Sequence, residues 1–428
     1  MQTIFAQATA RGKAGVAVIR ISGPDAFQIG RSLVGDLPEP GLFRYRAIRT
    51  LGGDILDRGL VLTFQGPRSF TGEDVVELQV HGSIAVVQAI ENTIQETGLV
   101  RLADAGEFTR RALVNGMLDL TQVEALGDLI AAETEVQRQH AQAAMDGSLQ
   151  SLANALRDDL LSALSLIELT IDFADEDVPV DVAPDVFTRL RSVEARLRSE
   201  VEGSFVAERL RGGFEVAIVG LPNSGKSTLL NRIAQRDVAL TSDIPGTTRD
   251  VIEVRLDLAG MPVTFLDTAG LRSSEDEIEM AGVSRALDRA AAADVRVFLR
   301  LSPTDAFAIE EKADDISLQA KADLYPATNG VSGMTGEGVE DLLARVQQVL
   351  QTRLSEAGYA SRERHRRSLT SALHSVQQAI EAMDAGDFEP EILSVSVRDA
   401  IGALESLVGT VDVEAVLGQI FSQFCIGK

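Results

Sequence analysis

GLPNSGKS, Gly220 to Ser227, fits the pattern G-x-x-x-x-G-K-[ST]; the apolar run FEVAIV, Phe214 to Val219, precedes it, and the helix-forming stretch STLLNRIAQ follows. Strand, glycine-bearing loop and helix in that order build a phosphate cradle. The glycines let backbone N–H groups turn inward, Lys226 reaches the outer phosphates, and the Ser227 hydroxyl can ligate Mg²⁺. Asn223, Ser224, Gly225 and Thr228 are the neighbouring positions expected around a bound nucleotide.

A polar loop comes next, TSDIPGTTRD from Thr241 to Asp250. Two strand-like runs, VIEVRLDL and MPVTFLD, are joined by Ala259-Gly260 and end in DTAG, Asp267 to Gly270. This order of parts resembles the Ras-like GTPases over the whole segment. The resemblance implies that Thr248 binds Mg²⁺ and senses the γ-phosphate, that Asp267 holds Mg²⁺ through water, and that the Gly270 N–H meets the γ-phosphate. Ser242, Asp243, Ile244, Pro245, Gly246, Thr247, Thr268 and Ala269 fill out the nucleotide contacts.

Three positions depart from that pattern. Leu271 stands where a glutamine orients the attacking water, and a leucine side chain cannot hydrogen-bond water, so another group must orient it and another charge must stabilise the transition state. Guanine recognition by Asn/Thr-Lys-x-Asp is met by Ala320-Lys321-Ala322-Asp323 after ISLQ, where Ala320 lacks the side-chain amide. Asp323 would pair with the guanine edge and Lys321 would stack beneath the ring. A second candidate, Glu311-Lys312-Ala313-Asp314, has no convincing strand before it. The closing element, Ser-Ala elsewhere, is Ser332-Gly333 here.

With 428 residues and 45% hydrophobic content, the chain is long enough for two or three domains with their own cores. No run of 18 apolar residues offers a membrane span, and the N-terminal stretch alternates like strands instead of showing a signal core, which points to a cytoplasmic protein. The single cysteine, Cys425, excludes an internal disulfide framework and a cysteine-cluster metal site. A formal charge of −24 argues against a general nucleic-acid coat, so an RNA partner must meet a local basic patch. The cluster SRERHRR, Ser361 to Arg367, is either that patch or a solvated helix start.

Around the phosphate loop the periodicity changes twice. Residues 1–118 read as a small α/β domain with strand-like VAVIRIS, GLVLTF and VVELQV. Its segment FTGEDVVELQVHG gathers Glu73, Asp74, Glu77 and His81, and GEFTRRALVNG adds Glu107, Arg110, Arg111 and Asn115. As bare charges these read as solvated faces. Residues 119–212 carry helical stripes, Leu149, Leu152, Leu156, Leu160, Leu164, Ile167 and Ile171, then Val186, Leu190, Val193, Leu197 and Val201. Residues 356–428 return to helix, with Leu369, Leu373, Val376, Ile380 and Met383 on one face and a continuation to Val416, Ile420 and Phe424. The expected architecture is α/β plus all-α: an N-terminal α/β domain, a central helical domain, and a P-loop domain over 213–355 inserted into the helical one.

GTTRD (Gly246 to Asp250), GEFTRRALVNG and the terminal FCIGK (Phe424 to Lys428) together closely resemble the MnmE (TrmE) tRNA-modification GTPases from end to end. That resemblance implies a homodimer built through a folate-binding N-terminal domain, and a G domain active when two G domains meet across K⁺. It implies a heterotetramer with an FAD-containing MnmG-type protein, acting at the tRNA anticodon region to install an aminomethyl or carboxymethylaminomethyl group at C5 of the wobble uridine. The one-carbon donor would be 5-formyltetrahydrofolate or 5,10-methylenetetrahydrofolate.

By the same resemblance K⁺ is held by Asn223, Ser242, Ile244 and Thr247, and Glu279 orients water through a bridge, which answers the problem set by Leu271. Arg20, Glu77 and Lys428 form the folate site, with Met117 where the family carries a lysine; cations can meet the acidic tail and a carboxylate can pair with the amidine-like edge of a pterin. Cys425 is the thiol that could act covalently or as an acid. The competing class is a regulatory RNA-binding GTPase switch of the ribosome-assembly type, which needs neither a terminal thiol nor a folate pocket. An ATPase conflicts with DTAG and Asp323.

Overall fold

A computed structural model of the chain describes residues 1–172, 182–235, 253–267, 287–312, 314–385, 389–409 and 427. Two compact units emerge, one of residues 1–127 and 408–428, the other of residues 128–407.

The first unit is built on a six-stranded sheet of β1 (Thr3–Gln7), β2 (Ala14–Ser22), β3 (Phe43–Arg49), β4 (Ile55–Phe64), β5 (Val75–Gly82) and β6 (Val100–Leu102), in the order β3-β4-β5-β2-β1-β6. Only the β1–β6 pair is parallel. Period-two alternation sorts its two faces. Phe5, Ile19, Ile21 and Leu78 point to one face and form a core with Ile29 and Leu33 of α1 (Ala26–Val34) and Ile90 and Ile94 of α2 (Ile84–Glu96). On the other face Ile4 and Ala6 pack with Phe108 of α3 (Glu107–Val114). Arg20, between Ile19 and Ile21, shares that second face, which puts its guanidinium near Phe108.

α4 (Leu120–Ala131) crosses the division between the units. In the second unit α5 (Glu135–Met145), α6 (Ser148–Asp172) and α7 (Ala183–Gly212) follow. The stripe Leu149, Leu156, Leu160 and Ile167 is buried on α6, and Val186, Leu190, Val193 and Leu197 are buried on α7, as a 3.6-residue period requires. Leu152, Ile171 and Val201 are half-buried at the stripe edges.

The second sheet then begins: β7 (Phe214–Gly220), α8 (Lys226–Ala234), β8 (Glu253–Leu258), β9 (Met261–Asp267), β10 (Val295–Arg300), β11 (Ile316–Ala320) and β12 (Gly330–Val331), ordered β12-β11-β10-β7-β9-β8. β7 lies between parallel neighbours β10 and β9, and a packed core covers each of its faces. Hence Phe214 to Val219 is a continuous apolar run instead of an alternating one. Val216 and Ile218 enter one core, Ala217 and Val219 the other.

α9 (Val339–Leu354) closes this part, and α10 (Glu363–Asp384) and α11 (Pro390–Val408) return to the helices. α10 runs antiparallel to α7: Arg366 pairs with Glu208 near one end at 2.5 Å, and Asp384 pairs with Arg191 near the other at 2.6 Å. The sheet from β7 to α9 is thus an insertion between two helices that pack on each other. The positions Val416, Ile420 and Phe424, expected to continue the helical face, lie outside the described residues.

Candidate functional site

The phosphate loop leaves β7 at Gly220 and enters α8 at Lys226. Asn223 sits at φ 63° and Gly225 at φ 98°, the left-handed conformations that turn successive N–H groups to one side. Lys226 is 4% exposed, and its ammonium donates to the carbonyls of Gly220 at 2.7 Å and Leu221 at 2.9 Å. Burial pushes its pKa down, and the Asp267 carboxylate works in the opposite direction. The Ser227 hydroxyl donates to Asp267 Oδ2 at 2.6 Å, and Asp267 is itself buried at the end of β9. A lysine, a hydroxyl, a carboxylate and the positive end of α8 therefore converge at one end of β7.

A cleft of about 140 Å³ opens beside the loop, lined by Ser224, Thr228, Ala320, Lys321, Asp323, Ser332 and Gly333 among others. β11 runs directly into Lys321, whose φ is 55°, while Glu311 of the second candidate motif pairs with Arg300 before β11 begins. Gly333 lies so close to α8 that a Cβ there would stand 2.5 Å from the Leu229 nitrogen, which explains glycine after Ser332. Ser332 Oγ accepts from the amides of Met334 and Thr335, both at 3.2 Å, and so shapes the turn. Ala320 is fully buried, and Ser224 Oγ, 1% exposed, has no hydrogen-bond partner among the described residues.

In the first unit Arg20 Nε donates to Glu77 Oε1 at 2.7 Å across the β2–β5 pair. Met117 lies against the 66–74 loop: a Cβ on Gly72 would be 3.2 Å from its Cγ. Several charges expected on solvated faces are buried instead. Arg111 bonds Glu73, Glu107 and the Gln2 carbonyl, so Arg111 and Glu107 are interior residues held by pairing. His81 stays exposed beside Asp57.

The basic cluster is likewise engaged. Arg362 bonds Asp128 at 2.6 Å, Arg364 the Leu407 carbonyl at 2.9 Å, Arg366 bonds Glu208 and lies over the Phe205 ring, and Arg367 pairs with Glu363. Arg362, Arg364 and Arg366 thus tie helices of the second unit together, while Arg367 stays exposed on its own helix.

The expected contacts Ser242, Asp243, Ile244, Pro245, Gly246, Thr247, Thr248, Thr268, Ala269, Gly270, Glu279, Cys425 and Lys428 lie outside the described residues, as does Leu271.

Family models match the chain in two blocks: the GTP-binding protein TrmE N-terminus over residues 3–117 and the MnmE helical domain over residues 120–425. Relatives called tRNA modification GTPase MnmE are 55% identical in Jannaschia sp. (strain CCS1) and 53% identical in Roseobacter denitrificans, each covering 100% of both chains. The chain belongs to the MnmE family of tRNA modification GTPases. As a member of the MnmE family it is a GTP hydrolase of tRNA modification. A solved structure of an Aquifex aeolicus Era variant bound to GDP·AlF4⁻ is 24% identical over 32% of this chain and 56% of that one, with a TM-score of 0.25.

For an MnmE-family chain the donor set fits Mg²⁺: a hydroxyl and a carboxylate already in contact beside the phosphate cradle. Among the described residues no group of three or more His, Cys, Asp or Glu side chains could hold a metal by itself, so nucleotide oxygens would have to complete the shell. No described helix is long and apolar enough to cross a membrane. Sequence reading missed two site features. Phe70 and Phe108 flank the Arg20 guanidinium at 5.4 and 5.5 Å, and their only sequence signal was an aromatic residue two positions before Gly72 and another beside Glu107.

Proposed function

We propose that this chain runs a K⁺-activated GTPase cycle completed when two G domains meet, and that the cycle drives modification of tRNA. As a homodimer, in a heterotetramer with an FAD-containing MnmG-type partner, it adds an aminomethyl or carboxymethylaminomethyl group to C5 of the wobble uridine in the cytoplasm. Its domains divide near residues 118, 212 and 355. The observation that carries the reading is the convergence of Lys226, Ser227 and Asp267 at the end of β7 in a chain whose MnmE relatives match it over their whole length.

Lys226 and the amides of the loop would hold the β- and γ-phosphates, and Ser227 and Thr248 would hold Mg²⁺ with Asp267 acting on it through water. When bound, the ion would supply neutralisation of phosphate charge. Asn223, Ser242, Ile244 and Thr247 are the residues to hold K⁺, which supplies the positive charge an arginine provides in other GTPases. Glu279 orients the attacking water in place of the side chain that Leu271 lacks. Asp323 and Lys321 select guanine in the cleft beside Ser224. Arg20, Glu77, Met117 and Lys428 are the residues to meet the tetrahydrofolate donor, and Cys425 is the thiol to serve the modification step.

GTP hydrolysis by the purified chain in KCl and in NaCl at equal ionic strength tests this. A rate at least tenfold higher in K⁺ supports the assignment; equal rates in the two salts sink the cation-dependent cycle.

A further inference from the structure

Within the folate reading proposed above, we infer that Phe70 is a ligand-contacting residue of that pocket, and that Glu73, Arg111 and Asn115 serve to position it. Arg20 lies between two rings. Phe108 is fully buried, so the surface open to a ligand belongs to Phe70, which is 36% exposed. Arg20 and Glu77 keep 21% and 15% of their side-chain surface. A cation thus meets both a carboxylate and a partly exposed aromatic ring. That combination suits a flat heterocycle with an amidine edge: the carboxylate takes its N–H donors and the ring packs on its face.

The loop that carries Phe70 is held firmly for so exposed a residue. Asn115 Nδ2 donates to the Thr71 carbonyl at 2.6 Å, Ser22 Oγ contacts Thr71 Oγ1 and Glu73 Oε2 at 2.7 Å each, and Ser69 Oγ donates to the Glu73 carbonyl at 2.5 Å. Arg111 grips the Glu73 carboxylate at 2.9 Å from a side chain only 4% exposed. Ser22 lies two residues beyond Arg20 on β2 and therefore on the same face, so one strand fixes both the guanidinium and the loop. Burying an ion pair costs desolvation, and its return here is a loop pre-set to present one aromatic ring. Glu73, Arg111 and Asn115 therefore hold the loop in place, while Phe70 and Arg20 face the ligand.

The intact chain is titrated with 5-formyltetrahydrofolate by calorimetry, wild type beside Phe70→Ala, Phe70→Tyr and Glu77→Ala. Phe70→Ala is expected to weaken binding about tenfold, the upper range for one aromatic contact, and Phe70→Tyr to stay within about threefold of wild type. Glu77→Ala is expected to weaken binding as well, since it removes the carboxylate. Equal affinity in wild type and Phe70→Ala, with Glu77→Ala still weakened, overturns the inference alone. No binding by the wild type overturns the folate reading, and the inference with it. Thermal melting followed by circular dichroism, measured in parallel, reports whether each variant is folded.

Discussion

The amide of Val136 donates to the carbonyl of Gly260 at 3.2 Å, so the turn between β8 and β9 rests on the first turn of α5. Gly260 has φ 84°, and a Cβ there would lie 2.9 Å from Val136 Cγ2. β9 runs straight from this turn to Asp267, the partner of Ser227, so the hairpin spans from the helical scaffold to the nucleotide site. Gly260→Ala should lower stability by about 1–2 kcal/mol from the left-handed backbone, with an added steric part. Val136→Ala in the same chain should recover the steric part, so the double variant should lose less than the sum of the two singles. Denaturant melting of the four proteins measures this; strict additivity would show that the two residues do not meet.

Glu200 closes the second crossing between the inserted sheet and the helices. Its Oε1 accepts from the amides of Tyr359 at 2.5 Å and Ala360 at 2.8 Å, where Gly358 passes against Gly203. Burial raises its pKa above the usual 4.5, and the two amides pull the other way. Because the folded pKa is the higher one, the proton's contribution is fully present below about 4.5 and is lost as pH rises through the folded value. The stability of wild type relative to Glu200→Gln should therefore grow as pH falls from 7 toward 4.5. Glu200→Ala should cost about 1–3 kcal/mol at pH 7 by stranding two amides. Unfolding at pH 5 and pH 7 decides; a pH-independent gap between wild type and Glu200→Gln would show that Glu200 does not titrate in that range.

In the cleft beside the phosphate loop, Ala320 and the Ser224 hydroxyl, which has no hydrogen-bond partner among the described residues, line the same cavity. An amide at 320 would give the cleft a group able to tie the two loops. Ala320→Asn should tighten GDP binding by about 1 kcal/mol, roughly fivefold. In a Ser224→Ala background the gain should shrink. Fluorescent GDP titrations of the three variants check both, and unchanged or weaker binding by Ala320→Asn would place guanine recognition elsewhere.

Features with a local signature were legible in the sequence. Phe214 to Ser227 announces strand, loop and helix within fourteen positions, and the α6 and α7 stripes repeat every three or four residues. Interiors assembled from distant charges were not. Arg111 and Glu73 are 38 positions apart, so nothing near either one marks it as buried, and the partners of Arg362 and Arg366 lie 234 and 158 positions away. A charged residue looks solvated until its partner is known. The cleft beside Ser224 shows an intermediate case: its motif residues were readable, but the packing of Gly333 on α8 needed the fold.

Lys226 is the residue on which nucleotide binding should depend most. Its ammonium is buried, faces two loop carbonyls, and lies at the N-terminus of α8 beside Asp267. Removing it leaves the phosphate chain without its cation; charge-assisted hydrogen bonds contribute about 1.5–3 kcal/mol each, so Lys226→Ala should weaken GTP binding by at least about a hundredfold. Burial holds the free protein's Lys226 pKa below 10.5, so the charged fraction falls as pH rises through that lowered value. Wild-type affinity for GTP should therefore decline on the alkaline side before an ordinary lysine would lose its proton, and Lys226→Arg should flatten that decline even if it binds more weakly overall. Titration with a fluorescent GTP analogue from pH 7 to pH 10 measures both effects. Wild-type affinity in Lys226→Ala would move the phosphate site away from this loop.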